Sequence, residues 1–303
     1  MDKTVAGVRR SSSDIIFDIS NMLLMIVVAV VTLYPFLNVL AISFNDSTDT
    51  VRGGIYIWPR QFTLDNYMAL FRFDNLLTAF QNSVLRTVIG TLVGVLSASM
   101  VAFVLTQRHF RARKLFTTMF ALTMYVQGGL IPGYMLIREL HLLNTFWVYI
   151  IPGLLSVWNV FVIRSYIDGL PYSLQESAKI DGANDFTIFI RIILPLCLPV
   201  IATISLFIAV GQWNAWFDNY LFNSSKPQLT TLQFELQKIL QSTSSGSGND
   251  NAYRGQDMAR FNAVSPESMK MAITMVVTFP ILVVYPFLQK YFVKGMTLGA
   301  VKA

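Results

Sequence analysis

The sequence predicts an all-α integral membrane protein of six transmembrane helices with both termini cytoplasmic, and three observations carry that prediction. Of 303 residues, 54% are hydrophobic and only 13% charged, a balance too apolar for a soluble chain of this length. The apolar residues gather into runs that match the roughly 20 helical residues needed to cross a hydrocarbon core of about 30 Å. Basic residues sit at the ends of these runs and concentrate on one side, so the net charge of +6 reads as a positive-inside bias. It does not read as a nucleic-acid patch, because no aromatic residues interleave with the basic ones.

Residues 1–21 form a cytoplasmic segment carrying Lys3, Arg9 and Arg10. The first span, 22–44, contains Pro35; no small-residue cleavage site follows a short apolar core, so it is expected to be a retained helix. Residues 45–76 are an extracytoplasmic loop with turn signals at Asn45, Asp46, Gly53 and Gly54. In the second span, 77–105, Asn82, Arg86, Gly90, Gly94, Ala98 and Ala102 recur every four residues. This stripe is polar at its outer end and small below, and is expected to face protein and not lipid.

A basic cytoplasmic loop, 106–114, leads to the third span, 115–136. Its outer half holds Gln127, Gly128, Gly129, Pro132 and Gly133, which fits either partial unwinding beside a protein or water-lined cavity or a kinked helix end. The fourth span, 145–163, carries Pro152, Trp158 and Asn159. A polar cytoplasmic hairpin, 171–191, precedes the fifth span, 192–217. An extracytoplasmic loop, 222–266, combines an amphipathic piece, 231–240, with the flexible tract STSSGSGNDN, too polar to pack. The sixth span, 269–292, contains Pro280 and Pro286, and a cytoplasmic tail, 293–303, ends the chain.

The hairpin is the unusual element, a polar insert between two apolar spans. Ser173 and Glu176 have the spacing of a capping box at the start of a helix. Gly182 is placed to close that helix, and the chain restarts through Asn184 and Asp185 towards Pro195. Between its ends lie small residues (Ser177, Ala178, Gly182, Ala183) and acids (Glu176, Asp181). That is the profile of a docking knob, and equally of a capped surface helix.

Glu176, Ser177, Ala178, Asp181, Gly182, Ala183, Ile192, Leu194, Pro195 and Pro199 resemble the EAA loop of ABC importer permeases: EAA, three residues, G, nine residues, then I and LP. Ser177 replaces the usual first Ala, a small-for-small change. The segment IWPRQFTLDNYMALF, the pair Asn82 and Ser83, and the ending YFVKGMTLGAVKA extend the likeness to the maltose-type carbohydrate branch, over nearly the whole chain. The resemblance implies a type I ABC importer permease fold in a bacterial cell membrane. It implies that Glu176, Ser177, Ala178, Asp181, Gly182 and Ala183 dock in a groove of a separate ATPase subunit. A second related permease, two ATP-binding subunits and an extracytoplasmic solute-binding protein complete the assembly it implies. ATP and Mg would be bound by the ATPase subunits, with no cofactor in this chain.

The residues are consistent with that picture. The chain has no GxxxxGK[ST] loop for nucleotide phosphates, and the predicted spans hold few ionisable groups, which disfavours ion-coupled transport. No constellation of nucleophile, acid and base appears at one depth, so no catalytic residue is expected. Cys197 is the only cysteine, and with His109 and His141 far off in sequence it reads as a buried hydrophobe, with no metal site. Trp213, Asn214, Trp216 and Asp218 mix aromatic faces with hydrogen-bonding groups as sugar recognition requires, although an interfacial aromatic belt has the same composition. Asn82, Arg86, Gln127, Trp158 and Asn159 either line a pathway or hold helices together. Gly246, Ser247, Gly248 and Asn249, in the loop that in such importers reaches the binding protein, are the candidates for that contact. The resemblance favours an oligosaccharide or polysaccharide fragment as the solute. An amino acid or peptide importer, or a passive channel or scaffold, are the alternatives.

Overall fold

The computed structural model describes residues 12–71, 75–244 and 265–300. Its longer helices are α1 (Ser12–Ser43), α2 (Leu76–Thr106), α3 (Arg113–Tyr125), α4 (Leu130–Glu139), α5 (Val157–Asp168), α6 (Ser173–Ile180), α7 (Asp185–Leu196), α8 (Leu198–Asn214), α9 (Leu232–Ser244) and α10 (Pro266–Ala300). Among the described residues the only β-type pairing is an isolated bridge between Asn45 and Phe62. The chain divides into two compact units, one of residues 1–70 and 247–275, the other of residues 71–246 and 276–303.

In the first unit α1 is apolar on all sides and exposed over most of its length, as a helix surrounded by hydrocarbon would be. The loop after it is tightly folded. Asp46 caps the short helix Ser47–Thr50 by accepting from the amides of Thr48 and Asp49. Asn66 donates to the carbonyls of Ser43 and Asn45, and Arg60 pairs with Asp49 at 2.9 Å. The hydrogen bond from Asn45, reinforced by Arg60, holds the Asp49 carboxyl below the usual carboxylate range. Thus the WPRQFTLDNY segment closes the loop through backbone and side-chain bonds.

The second unit is built around α2, which packs along α8 and α5. Asn82, Arg86, Gly90, Gly94, Ala98 and Ala102 are all buried, so the stripe does face protein. The approach is closest at Gly90, where an added Cβ would lie 2.8 Å from the Gln212 side-chain nitrogen on α8. Gln212 is itself tied to Arg86 and Tyr149 and has little freedom to yield. Gly90→Leu is therefore expected to destabilise the protein by about 1–3 kcal/mol through overpacking, measured as a lower apparent Tm in detergent.

Several expected spans are broken helices. Three helices are long and apolar enough to cross a membrane (Ser13–Ser43, Leu76–Thr106 and Pro266–Val284), or up to five among the described residues if each bent pair is one span. The third expected span is α3 and α4, related by a bend of 119°, and the break at 126–129 holds Gln127 and its glycines, as partial unwinding requires. The fourth is not a continuous helix: a 3₁₀ turn at Phe146–Tyr149 is followed by an irregular stretch before α5. Pro152, without an amide hydrogen, and Gly153 lie in that stretch and disfavour helix. The fifth is α7 and α8, bent by 82° at Cys197. Pro199 cannot donate to the carbonyl of residue 195, so the ladder fails there, and a π turn at Phe189–Ile193 precedes the bend.

Candidate functional site

The hairpin is α6, a turn and the start of α7. Ser173 and Glu176 do not form the expected capping box. The chain is already in helical conformation at Tyr172, and the Glu176 amide that the Ser173 hydroxyl would satisfy is taken by backbone, donating to Tyr172 O at 3.2 Å. The turn follows expectation. Gly182 adopts φ +81°, Ala183 N donates to Ala178 O at 2.9 Å and Gly182 N to Lys179 O at 3.1 Å, the paired bonds of a Schellman closure. Asn184 then caps α7, its side chain accepting from Thr187 N at 2.8 Å.

This geometry gives the hairpin two faces. Gln175, Ala178, Ile188 and Phe189 are buried, and Ala178, Ile188 and Phe189 join a core with Phe103 of α2 and Ile163 and Ile167 of α5. Glu176, Ser177, Asp181 and Gly182 are exposed, and Ala183 is half-buried. Of the six residues singled out from sequence, Ala178 therefore seats the hairpin on its own chain. Two residues not singled out stand on the open face: Ile180, 86% exposed, and Phe186, 62% exposed. Their sequence signal is a bulky apolar side chain inside a polar helical segment. Lys179 pairs with Asp185 at 3.1 Å, whereas among the described residues no ion pair involves Glu176 or Asp181. The open face thus presents two carboxylates flanking apolar knobs.

A second polar centre lies near the other end of α2. Arg86 is 2% exposed, and its side chain makes five hydrogen bonds: two to Gln212 Oε1 at 3.1 Å, two to the Asp218 carboxylate at 2.5 and 3.2 Å, and one to Ala215 O at 3.2 Å. The Tyr149 ring lies under the guanidinium, 4.4 Å from its centroid. A guanidinium has five N–H donors, so Arg86 is committed within the chain. Asn82, one turn away, donates to the carbonyls of Gln228 and Thr230, and fixes the approach to α9. Gln212 and Tyr149 were not anticipated; a lone glutamine in the apolar run of α8 was the available clue. Arg86, Tyr149, Gln212, Asp218 and Phe222 border a hollow of about 320 Å³.

The other pathway candidates scatter. Trp213 is buried, donating Nε1–H to Val277 O at 3.0 Å with Phe80 edge-on at 6.3 Å, so it fastens α8 to α10. Asn159 is buried, Asn214 and Gln127 are exposed, and Trp216 is half-buried against Phe217. Trp158, 60% exposed, borders a separate hollow of about 440 Å³ with Met124, Tyr125 and Phe161. Gly246, Ser247, Gly248 and Asn249 lie outside the described residues. Among the described residues no group of His, Cys, Asp and Glu could hold a metal ion.

The chain is similar to known proteins over nearly its whole length. The chain is 38% identical to protein LplC of Bacillus subtilis, covering 95% of each chain. It is 37% identical to the polygalacturonan/rhamnogalacturonan transport system permease protein YtcP of the same organism, covering 95% of this chain and 98% of that one. A chain in the crystal structure of a bacterial ABC transporter involved in the import of the acidic polysaccharide alginate superposes with a TM-score of 0.82 at 27% identity, covering 94% of this chain and all of that one. Residues 76–298 match the model of the binding-protein-dependent transport system inner membrane component family, and the chain belongs to that family.

Proposed function

We propose that this chain is a permease subunit of an ATP-driven ABC importer that carries an oligosaccharide or polysaccharide fragment into the cytoplasm by alternating access. The observation that carries the reading is the open face of the hairpin, where Glu176, Ile180, Asp181 and Phe186 project from a family member whose own sequence lacks a nucleotide-phosphate loop. Glu176, Ser177, Asp181 and Gly182 dock on a separate ATPase subunit, with Ala178 and Ala183 seating the hairpin behind them. The full assembly has a second permease, two ATP-binding subunits that bind ATP and Mg, and an extracytoplasmic solute-binding protein. This chain performs no catalysis. It crosses the bacterial cell membrane six times, the bent pairs and the α5 region each completing a span, with both termini in the cytoplasm.

The names of the relatives support carbohydrate as the solute class. Gln127, Trp158, Asn214 and Trp216 are accessible enough to border the pathway, while Asn82, Arg86, Asn159, Trp213 and Asp218 shape its walls. The test is co-purification of the chain with its neighbours in mild detergent, then ATPase assay with and without binding protein loaded with oligosaccharide. An assembly with a second permease and an ATPase, stimulated severalfold by loaded binding protein, is expected; a chain that purifies alone and ignores sugars defeats the reading. Gly246–Asn249 are assigned to the binding-protein contact, so deleting 246–251 is expected to lower uptake at least about fivefold with membrane insertion unchanged. Uptake at the normal rate would remove that assignment.

A further inference from the structure

Three consecutive residues beyond the inner end of α2 hold the hairpin. Gln107 Nε2 donates to Gln175 Oε1 on α6 at 3.0 Å. The Arg108 guanidinium lies over the Tyr172 ring, 4.1 Å from its centroid, at the start of α6. His109 Nε2 is 3.6 Å from Asp185 Oδ2 at the start of α7. The turn therefore lies against both arms of the hairpin, and the buried Gln107–Gln175 bond is its firm contact. Among the described residues, Gln107–Gln175 is the only side-chain hydrogen bond from α6 to the end of a long helix.

We infer that the Gln107–Arg108–His109 turn is a clamp through which movement of the hairpin is delivered to α2, with Gln107 and Gln175 as its positioning residues. The inference rests on the proposed docking of the hairpin to an ATPase. Two observations favour α2 as the route. The covalent continuation of the hairpin, α7 to α8, is broken at Cys197 by a bend of 82°, so a push along it is taken up at the break. By contrast α2 is unbroken over 31 residues, and at its far end Arg86 and Asn82 hold Gln212, Asp218 and the 228–230 backbone. A displacement at Gln107 thus arrives where the walls of the 320 Å³ hollow meet.

The amide pair also suits register better than bulk stability. Both glutamines are buried, at 3% and 4% exposure, and within the chain Gln107 Oε1 accepts no hydrogen bond. Two apolar side chains of like size would fill that space without leaving a buried acceptor unmatched. A hydrogen bond adds direction, fixing one position of α6 against α2.

The test measures ATP hydrolysed per solute molecule taken up by the complete importer in proteoliposomes. Gln107→Ala, Gln175→Ala, the double Ala variant and the Gln107→Leu/Gln175→Leu pair are compared with the unmodified chain, each with its apparent Tm. The expected result is a ratio raised about threefold or more in each single variant, no further rise in the double Ala variant, and a similar rise in the Leu pair at undiminished Tm. A Leu pair with the unmodified ratio, or Ala effects that simply multiply, overturns the clamp while normal ATP-dependent uptake leaves the importer reading standing. An unmodified complex without ATP-dependent uptake overturns that reading and the clamp with it.

Discussion

A Gly182→Val chain is expected to insert and fold but to transport at no more than about a tenth of the normal rate, with the ATPase subunits lost during purification. The reason is confined to the backbone. At φ +81° an L-residue brings its Cβ against the following carbonyl, a conflict of about 1–2 kcal/mol, and a branched Cβ makes it worse. A shift of about 1.4 kcal/mol is tenfold in the equilibrium constant between closed and open turn. Nothing lies within 4 Å of the added Cβ, so any loss arises from the turn and not from a clash with the membrane helices. Opening the turn breaks the closure from Ala183 to Ala178 and swings Asp181 and Ile180 away from Phe186, dismantling the open face. Gly182→Asn is the control, because asparagine tolerates the left-handed region, and it is expected to keep most of the activity. Uptake into proteoliposomes and the yield of co-purified ATPase measure both variants; Val at the normal rate would show that the turn has no part in docking.

The features legible in the sequence are those set by near neighbours along the chain. The closure at Gly182 could be read because a helix end and its turn are local, and the stripe on α2 because four-residue spacing places side chains on one helix face. The capping box misled because the chain is already helical at Tyr172, whose carbonyl takes the Glu176 amide. Glycine and proline pointed to a break in the third expected span, whereas the breaks of the fourth and fifth were not anticipated, nor were the angles of 119° and 82°, which depend on what each half packs against. Which hairpin residues face outwards was also hidden: Ala178 and Ile180 are two positions apart, one in the core and one in the open. Arg86 was visible as a charge in an apolar run, but its partners Gln212 and Asp218 stand 126 and 132 residues further on. No local pattern connects them.

That separation makes the Arg86 centre the place where loss of one side chain should do most damage to stability. Asp218→Leu is expected to cost about 3 kcal/mol, the low end of the range for stripping the partner from a buried ion, because Asp218 is itself 24% exposed and Gln212 still holds part of the guanidinium. For a domain of this size that is about 6–12 °C in apparent Tm. Arg86→Met is expected to cost less, since the stranded carboxylate can turn to water while a stranded guanidinium at 2% exposure cannot. The double variant, Arg86→Met with Asp218→Leu, is expected to be more stable than Asp218→Leu alone, because no unmatched charge remains inside. Thermal unfolding of the four chains in detergent checks the order. If the double variant were the least stable and the two single losses simply added, the pair would be held by shape alone, and its charges would be free to serve the hollow they border.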